Sequence, residues 1–281
     1  MATLTLSHFE VAPLLRARQQ GLDATDGSGD LGRTVAPVTI AEGGACFYGD
    51  SWLPWPDAER IAAAPNKCFR FEAAQLLELR VFSASTGWVR TLFPTGRAPT
   101  TVVAGFTMHR IQGIDPLEDT ARKVAVASPL RGRVLDTATG LGYTAIAAAK
   151  VAAAVDTVEL DPAAIELARL NPWSQELFTA ANLKQHVGDV AEVIATFPDA
   201  HFARVLHDPP TLKLGGELYS AAFYRQLHRV LAKDGLLSHY IGDPASVSGG
   251  RTTRGVIERL RAAGFSRVER RPAAFAVAAW K

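Results

Sequence analysis

From Asp115 onward the chain alternates strand-like and helix-like runs, and this alternation limits the fold more than any other feature of the sequence. The β-prone runs 133–137, 156–160, 184–188, 202–207 and 236–241 are each followed by a helix-like run, at 143–154, 162–170, 190–196, 217–232 and 252–263. Strands that return through helices to parallel neighbours bury both faces of their sheet, so helices are expected on both sides. The runs 265–270 and 273–280 have only Arg271-Pro272 between them and are expected to pair antiparallel at one edge. The fold class is therefore α/β, a doubly wound, mainly parallel sheet of seven strands.

The texture before residues 113–116 is different. Short β-prone runs at 34–40, 67–71, 76–83, 88–93 and 100–108 alternate with Gly- and Pro-containing turns. Trp55-Pro56 opens a short helix, because proline suits a first helical turn. Ser7-His8-Phe9-Glu10 has capping-box spacing, with Pro13 a few residues inside the helix it would start. The expected division is a small α+β domain over residues 1–112 and the α/β domain over 113–281.

Composition narrows the class without naming it. With 48% hydrophobic residues the chain can build a sizeable core, which excludes disorder as its overall state. No uncharged stretch reaches the ~18 apolar residues of a membrane span, and no basic leader precedes an apolar core. Cys46 and Cys68 are too few for a disulfide framework or a four-cysteine zinc site, and the scattered histidines lack ligand spacing, so no metal is expected. A cytoplasmic protein fits these features. The net charge of +2 conceals an excess late in the chain, where seven arginines between Arg251 and Arg271 face only Glu258 and Glu269. Such a run is either an ordinary solvated face or a surface for an anionic partner.

One connection carries ligand-binding chemistry. A strand ends at Asp136, the turn Thr137-Ala138-Thr139-Gly140-Leu141-Gly142 follows, and a helix begins near Tyr143. Glycines allow a sharp turn and close approach of a ligand to the main chain. Gly140-Leu141-Gly142-Tyr143-Thr144-Ala145 formally matches the dinucleotide pattern, with Glu159 where a ribose-binding acid belongs, so an NAD-dependent oxidoreductase stays open. Three features favour S-adenosylmethionine. Asp136 would attract a methionyl ammonium but repel a pyrophosphate; Asp189 ends the third strand, where it could accept from an adenine amine; and the fourth strand ends in His207-Asp208-Pro209-Pro210.

On these residues the second domain resembles class I S-adenosylmethionine-dependent methyltransferases. Asp136 with Gly140 and Gly142, Glu159-Leu160-Asp161, Asp189 and Asp208-Pro209-Pro210 fall in the order of that family. The full chain, including Ser7-His8-Phe9-Glu10 and Met108-His109-Arg110-Ile111, is similar to a poorly characterised group of predicted methyltransferases frequent in archaea. Members of such groups sometimes carry a spermidine-synthase-like label, which keeps an aminopropyltransferase among the alternatives. The loop of those enzymes, Gly-Gly-Gly-Asp-Gly, differs from Thr-Ala-Thr-Gly-Leu-Gly here. The resemblance implies a Rossmann-like fold with S-adenosylmethionine as cofactor. It implies that Glu159 holds the ribose hydroxyls, Asp189 reads the adenine edge, Leu160 and Val190 sandwich the ring, and Ala138–Gly142 contacts the methionyl moiety.

Asp208, Pro209 and Pro210 are the expected catalytic group. Methyl transfer from a sulfonium is an in-line displacement that needs orientation and an acceptor lone pair. Asp-Pro-Pro followed by an aromatic residue resembles the signature of enzymes that methylate exocyclic amines of nucleobases, but Thr211 stands here in the aromatic position. His109, His207 and Tyr219 are the candidate acceptor contacts, each with a packing role as its alternative. Carbon-5 pyrimidine chemistry is disfavoured, because no cysteine follows Cys68. The expected acceptor is an amine on RNA, with a small molecule or a protein as alternatives. Oligomeric state is not legible.

Overall fold

Ser7 starts the first helix, His8–Gln19, as its spacing predicts: Glu10 Oε2 accepts from the Ser7 N–H at 2.8 Å, and Ser7 Oγ accepts from Phe9 N at 3.2 Å. Pro13 lies inside this helix without breaking it. The carbonyl that loses its partner there belongs to Phe9, a residue that is 43% exposed. Three small antiparallel sheets accompany this helix and a second one, Trp55–Ala62. Leu4, Leu6, Leu14, Phe47, Leu53 and Ile61 form the core beneath them. The computed structural model describes residues 3–210, 212, 215–243 and 246–281, with the backbone alone at 247 and 248.

The chain divides into two compact units, residues 1–116 with 166–175, and residues 117–165 with 176–281. A single boundary near 112–116 does not foresee the short segment that groups with the first unit. Trp173 accounts for it, since its indole Nε1 donates to the Leu31 carbonyl at 2.9 Å.

The second unit is built on seven strands: β1 (Arg133–Asp136), β2 (Ala154–Glu159), β3 (Leu183–Val187), β4 (Phe202–His207), β5 (Leu231–Tyr240), β6 (Arg267–Arg271) and β7 (Ala276–Trp280). Their order is β3-β2-β1-β4-β5-β7-β6, with β1 to β5 parallel and β7 antiparallel to both of its neighbours. The Rossmann-like α/β fold class expected from the alternation is the one observed. Strand order reverses between β1 and β4, and at such a switch point the carboxyl ends of the strands open a crevice.

The helices after residue 115 are α1 (Pro116–Val126), α2 (Tyr143–Ala149), α3 (Pro162–Leu170), α4 (Glu176–Thr179), α5 (Val190–Val193), α6 (Ala221–Val230) and α7 (Val247–Ala262), of which α3 passes from the second unit into the first at residue 166. Helix α2 stops before its expected end because Asn182 Nδ2 donates to the carbonyls of Ala149 and Ala152, at 2.8 and 3.0 Å, capping the helix. Helix α6 starts later than its pattern suggests, at the Ser220 N-cap, whose hydroxyl accepts from Phe223 N at 3.1 Å. Leu135, Phe202, Tyr224, Leu237, Leu260 and Val277 fill the core on these strands and helices. Among the described residues, no helix is long and apolar enough to cross a membrane.

Candidate active site

Two glycines shape the turn after β1, and they do different things. Gly142 has φ +80°, and a Cβ there would meet the Leu177 side chain at 2.8 Å, so this glycine lets the turn pack down on α4. Gly140 has φ +52° and nothing within 4 Å of where a Cβ would stand, so its face opens to free space at the strand ends. Ala138 and Gly140 are half-buried on the same turn.

Three carboxylates surround it. Glu159, at the end of β2, accepts from Gly140 N through Oε2 at 2.9 Å and from Asp161 N through Oε1 at 3.0 Å. Those two bonds aim a half-buried carboxylate along the turn. Asp161 is itself buried and caps α3, accepting from Ala163 N at 3.0 Å. Asp189 accepts from Ala191 N at 2.8 Å and caps the short helix α5. Leu160 and Val187, both 59% exposed, present apolar surface at the ends of β2 and β3. Val190 is 6% exposed and packs into the core with Leu135 and Val158, which does not match the ring-facing position implied by the resemblance. The exposed Val187 was not among the expected residues.

Asp136 is fully buried. Its oxygens accept from Thr144 Oγ1 at 3.1 Å and Thr157 Oγ1 at 2.6 Å, and Thr157 in turn meets Thr139 Oγ1 at 2.7 Å. Burial raises its pKa to about 7, against the two threonine hydrogen bonds and helped by the charges of Asp208 and Glu159. Asp136 therefore braces the turn from below, with its oxygens engaged by the two threonines and burial favouring its neutral form.

At the end of β4, Asp208 Oδ2 accepts from Lys123 Nζ at 2.7 Å. Lys123 also pairs with Asp119 at 3.0 Å and lies 4.1 Å from the Tyr240 ring centre. Burial works against the ammonium, yet the charges of Asp208 and Asp119 raise its pKa above the ordinary lysine value. Helix α1, which carries Lys123 and Asp119, is not among the runs read from the sequence. Its signal was present in Asp115-Pro116 followed by the i,i+4 pair Asp119 and Lys123.

The remaining candidates are held by internal bonds. Pro209 is buried and Pro210 exposed, and the Tyr219 hydroxyl donates to the Pro210 carbonyl at 3.1 Å. Tyr219 is 4% exposed and so fixes the Asp-Pro-Pro turn instead of offering a stacking face. Thr211, Lys213 and Leu214 lie outside the described residues. His207 is 1% exposed, donates through Nε2 to the Leu218 carbonyl at 3.0 Å, and accepts at Nδ1 from Thr137 Oγ1 at 2.6 Å. With both nitrogens engaged it is a structural residue, which corrects its expected role as an acceptor contact. His109, in the first unit, has Nδ1 2.9 Å from Thr100 Oγ1, and its backbone N–H donates to the same oxygen.

His207 stacks beside His239, ring centres 4.3 Å apart, and His239 bonds the Tyr224 hydroxyl at 2.9 Å. Burial lowers the His207 pKa to about 3 and takes that of His239 well below its ordinary value. The unfolded chain binds protons at both rings near pH 6.5, while the folded state refuses them until far lower pH. Stability is therefore full above pH 6.5 and falls as pH drops toward 3. The raised Asp136 pKa acts in the opposite direction, but it is one proton against two. The urea midpoint of the protein is expected to decrease between pH 7 and pH 5, with a shallower slope in His207→Gln. An unchanged slope in that variant would contradict the assignment.

Among the arginines after Gly250, Arg259 Nε donates to the Tyr219 carbonyl at 2.7 Å, and Arg271 pairs with Glu269 at 2.7 Å. Arg267 also pairs with Glu269 and lies 4.7 Å from the centre of Trp280. Several members of that run thus serve the fold. Both cysteines are buried in the first unit, and burial pushes the Cys68 thiol well up, away from nucleophilic thiolate chemistry.

Comparison with known proteins places this geometry. Residues 121–241 match the methyltransferase small domain family. The chain is 44% identical over 185 residues to the uncharacterised protein MJ1233 of Methanocaldococcus jannaschii, covering 65% of this chain and 64% of that relative. It thus spans less than two thirds of the relative's length. Among solved structures, a spermidine synthase in complex with the transition-state analogue AdoDATO superposes with a TM-score of 0.60 at 19% identity, over 72% of each chain. The spermidine synthase of Thermotoga maritima gives 0.57 at 17% identity, again over 72% of each chain. At these identities the likeness is one of fold.

Proposed function

We propose that this chain, whose residues 121–241 match the methyltransferase small domain family, transfers the methyl group of S-adenosylmethionine to an amine nitrogen of RNA. The observation that carries the cofactor half is the open face of Gly140 beside Glu159, with Leu160 and Val187 exposed at the neighbouring strand ends. Such a cradle suits a nucleoside with a short polar tail. Glu159 would hold the ribose hydroxyls, Asp189 the adenine amine, and the turn 138–142 the methionyl group. The cofactor brings a methyl already activated on a sulfonium, and the protein's task is to orient the acceptor and exclude water.

Asp208 is the residue for that task. Lys123 holds one of its oxygens, which fixes the carboxylate in place, and the Tyr219 bond to Pro210 fixes the turn that follows. A carboxylate so anchored accepts an N–H from an amine and aligns its lone pair with the methyl. Asp208→Asn is expected to lower methyl transfer about 100-fold while leaving S-adenosylhomocysteine affinity within about twofold. The measurement is incorporation of tritiated methyl into RNA, protein and small-molecule fractions of a cell extract. Label confined to the fractions outside RNA would refute the RNA acceptor, and an unchanged rate in Asp208→Asn would remove Asp208 from the chemistry.

A further inference from the structure

The third sheet of the first unit comprises strands Arg80–Phe82, Val89–Thr95, Arg97–Val103 and Phe106–Thr107. Between Arg80 and Arg110 the sequence holds four arginines and no Asp or Glu. The rest of the first 116 residues has 11 carboxylates against six Lys and Arg. Of the four arginines, Arg80 lies on the open face of this sheet and Arg97 begins its third strand, while Arg90, opposite Val81 and Val103, lies on the other face and Arg110 follows the last strand.

Its register sorts the side chains. Phe82 pairs with Val89, Arg80 with Thr91, Thr91 with Val102, and Val102 with Thr107. With side chains alternating along each strand, Arg80, Phe82, Val89, Thr91, Phe93, Val102 and Thr107 share one face. None of these seven is buried, with Phe82 64% and Val89 44% exposed, whereas Thr100, paired with Phe93 on the same face, is fully buried. The opposite face carries Val81, Leu92 and Val103, all buried. A half-solvated antiparallel sheet is ordinarily polar on its outer face, and here Phe82, Val89, Phe93 and Val102 stand on it among Arg80, Thr91 and Thr107. At Phe93 it continues into an open groove of about 500 Å³, lined by Phe9, Phe93, Ile111 and Ile114 with Arg97 beside them. Arg97 remains 58% exposed while pairing with Asp115 at 3.3 Å.

We infer that this face is the docking surface for single-stranded RNA, with bases stacking on Phe82 and Phe93 and phosphates running along Arg80 and Arg97. Exposed aromatic rings serve any base, and the exposed arginines Arg80 and Arg97, the second of them also paired with Asp115, serve the backbone. A second copy of the chain is the poorer occupant. A two-fold contact centred on this face would bring its arginines close to their own images. The inference rests on the RNA reading above, for which it names the surface.

The test is binding of a fluorescein-labelled oligouridylate of roughly 12 nucleotides to the full chain, at two salt concentrations. Wild type is expected to bind, and more weakly at higher salt. Phe82→Ala and Arg80→Glu are each expected to weaken binding about tenfold, with S-adenosylhomocysteine affinity unchanged as the control for folding. Equal affinity in the variants overturns this surface. If methyl still enters RNA in those variants, the RNA reading stands and the surface alone falls. Wild type that fails to bind while RNA is methylated has the same consequence. Concentration-dependent dimerisation abolished by Phe82→Ala, without RNA binding, makes this a contact between copies and likewise overturns the proposal.

Discussion

Glu159→Ala is expected to weaken S-adenosylhomocysteine binding about 100-fold, the loss of roughly two charge-assisted hydrogen bonds. The same change strips the acceptor from Gly140 N–H and Asp161 N–H, which Glu159 holds at 2.9 and 3.0 Å. The turn would then lose its brace as well as the ligand its partner. Glu159→Gln separates the two effects. Its amide keeps one accepting oxygen and turns a donor toward the other N–H, so an intermediate loss is expected. Calorimetric titration of both variants reads this directly, and an Ala variant that binds like wild type would place the ribose elsewhere.

Lys123→Met is expected to destabilise the second unit by about 3–5 kcal/mol, because it removes the cation from a buried set of charges. Lys123 and Asp119 are almost wholly inaccessible, and Asp208 is only partly exposed. Methionine matches the stem of the lysine, so the change tests charge rather than volume. Adding Asp119→Asn to this background removes one of the two stranded carboxylates and should recover part of the loss. Urea denaturation of the single and double variants decides the matter. A double variant less stable than Lys123→Met would contradict the pairing.

What could be read in the sequence follows from what is local. The strand and helix alternation, the capping box at Ser7 and the glycine turn depend on near neighbours, and each has a periodic or positional signature. The antiparallel end followed from the short link expected at Arg271-Pro272, although in the structure Arg271 belongs to β6 and residues 272–275 make the connection. The insertion of β7 between β5 and β6 did not, because sheet order is set by distant pairings such as Leu236 with Trp280.

The same divide separates the site residues. Glu159 and Gly140 stand out by their place after a strand, and the structure brings them into contact across 19 residues. Lys123 reaches Asp208 across 85 residues, and no local pattern announces such a pair. His207 beside Asp208 looked chemically available because a sequence does not show burial. Thr137 and the Leu218 carbonyl engage both of its nitrogens. The aromatic face at Phe82 was hidden in an apparently neutral domain, whose opposite charges cancel in sum while separating along the chain.

The central claim is that the turn after β1 is an S-adenosylmethionine site. Its most direct test is calorimetric titration of the full chain with S-adenosylhomocysteine and, separately, with NAD. The account predicts micromolar-range binding of S-adenosylhomocysteine and NAD affinity weaker by about tenfold or more, since the acidic groups Asp136 and Asp208 beside this turn disfavour a pyrophosphate. NAD binding as tightly as S-adenosylhomocysteine, or more tightly, would contradict it.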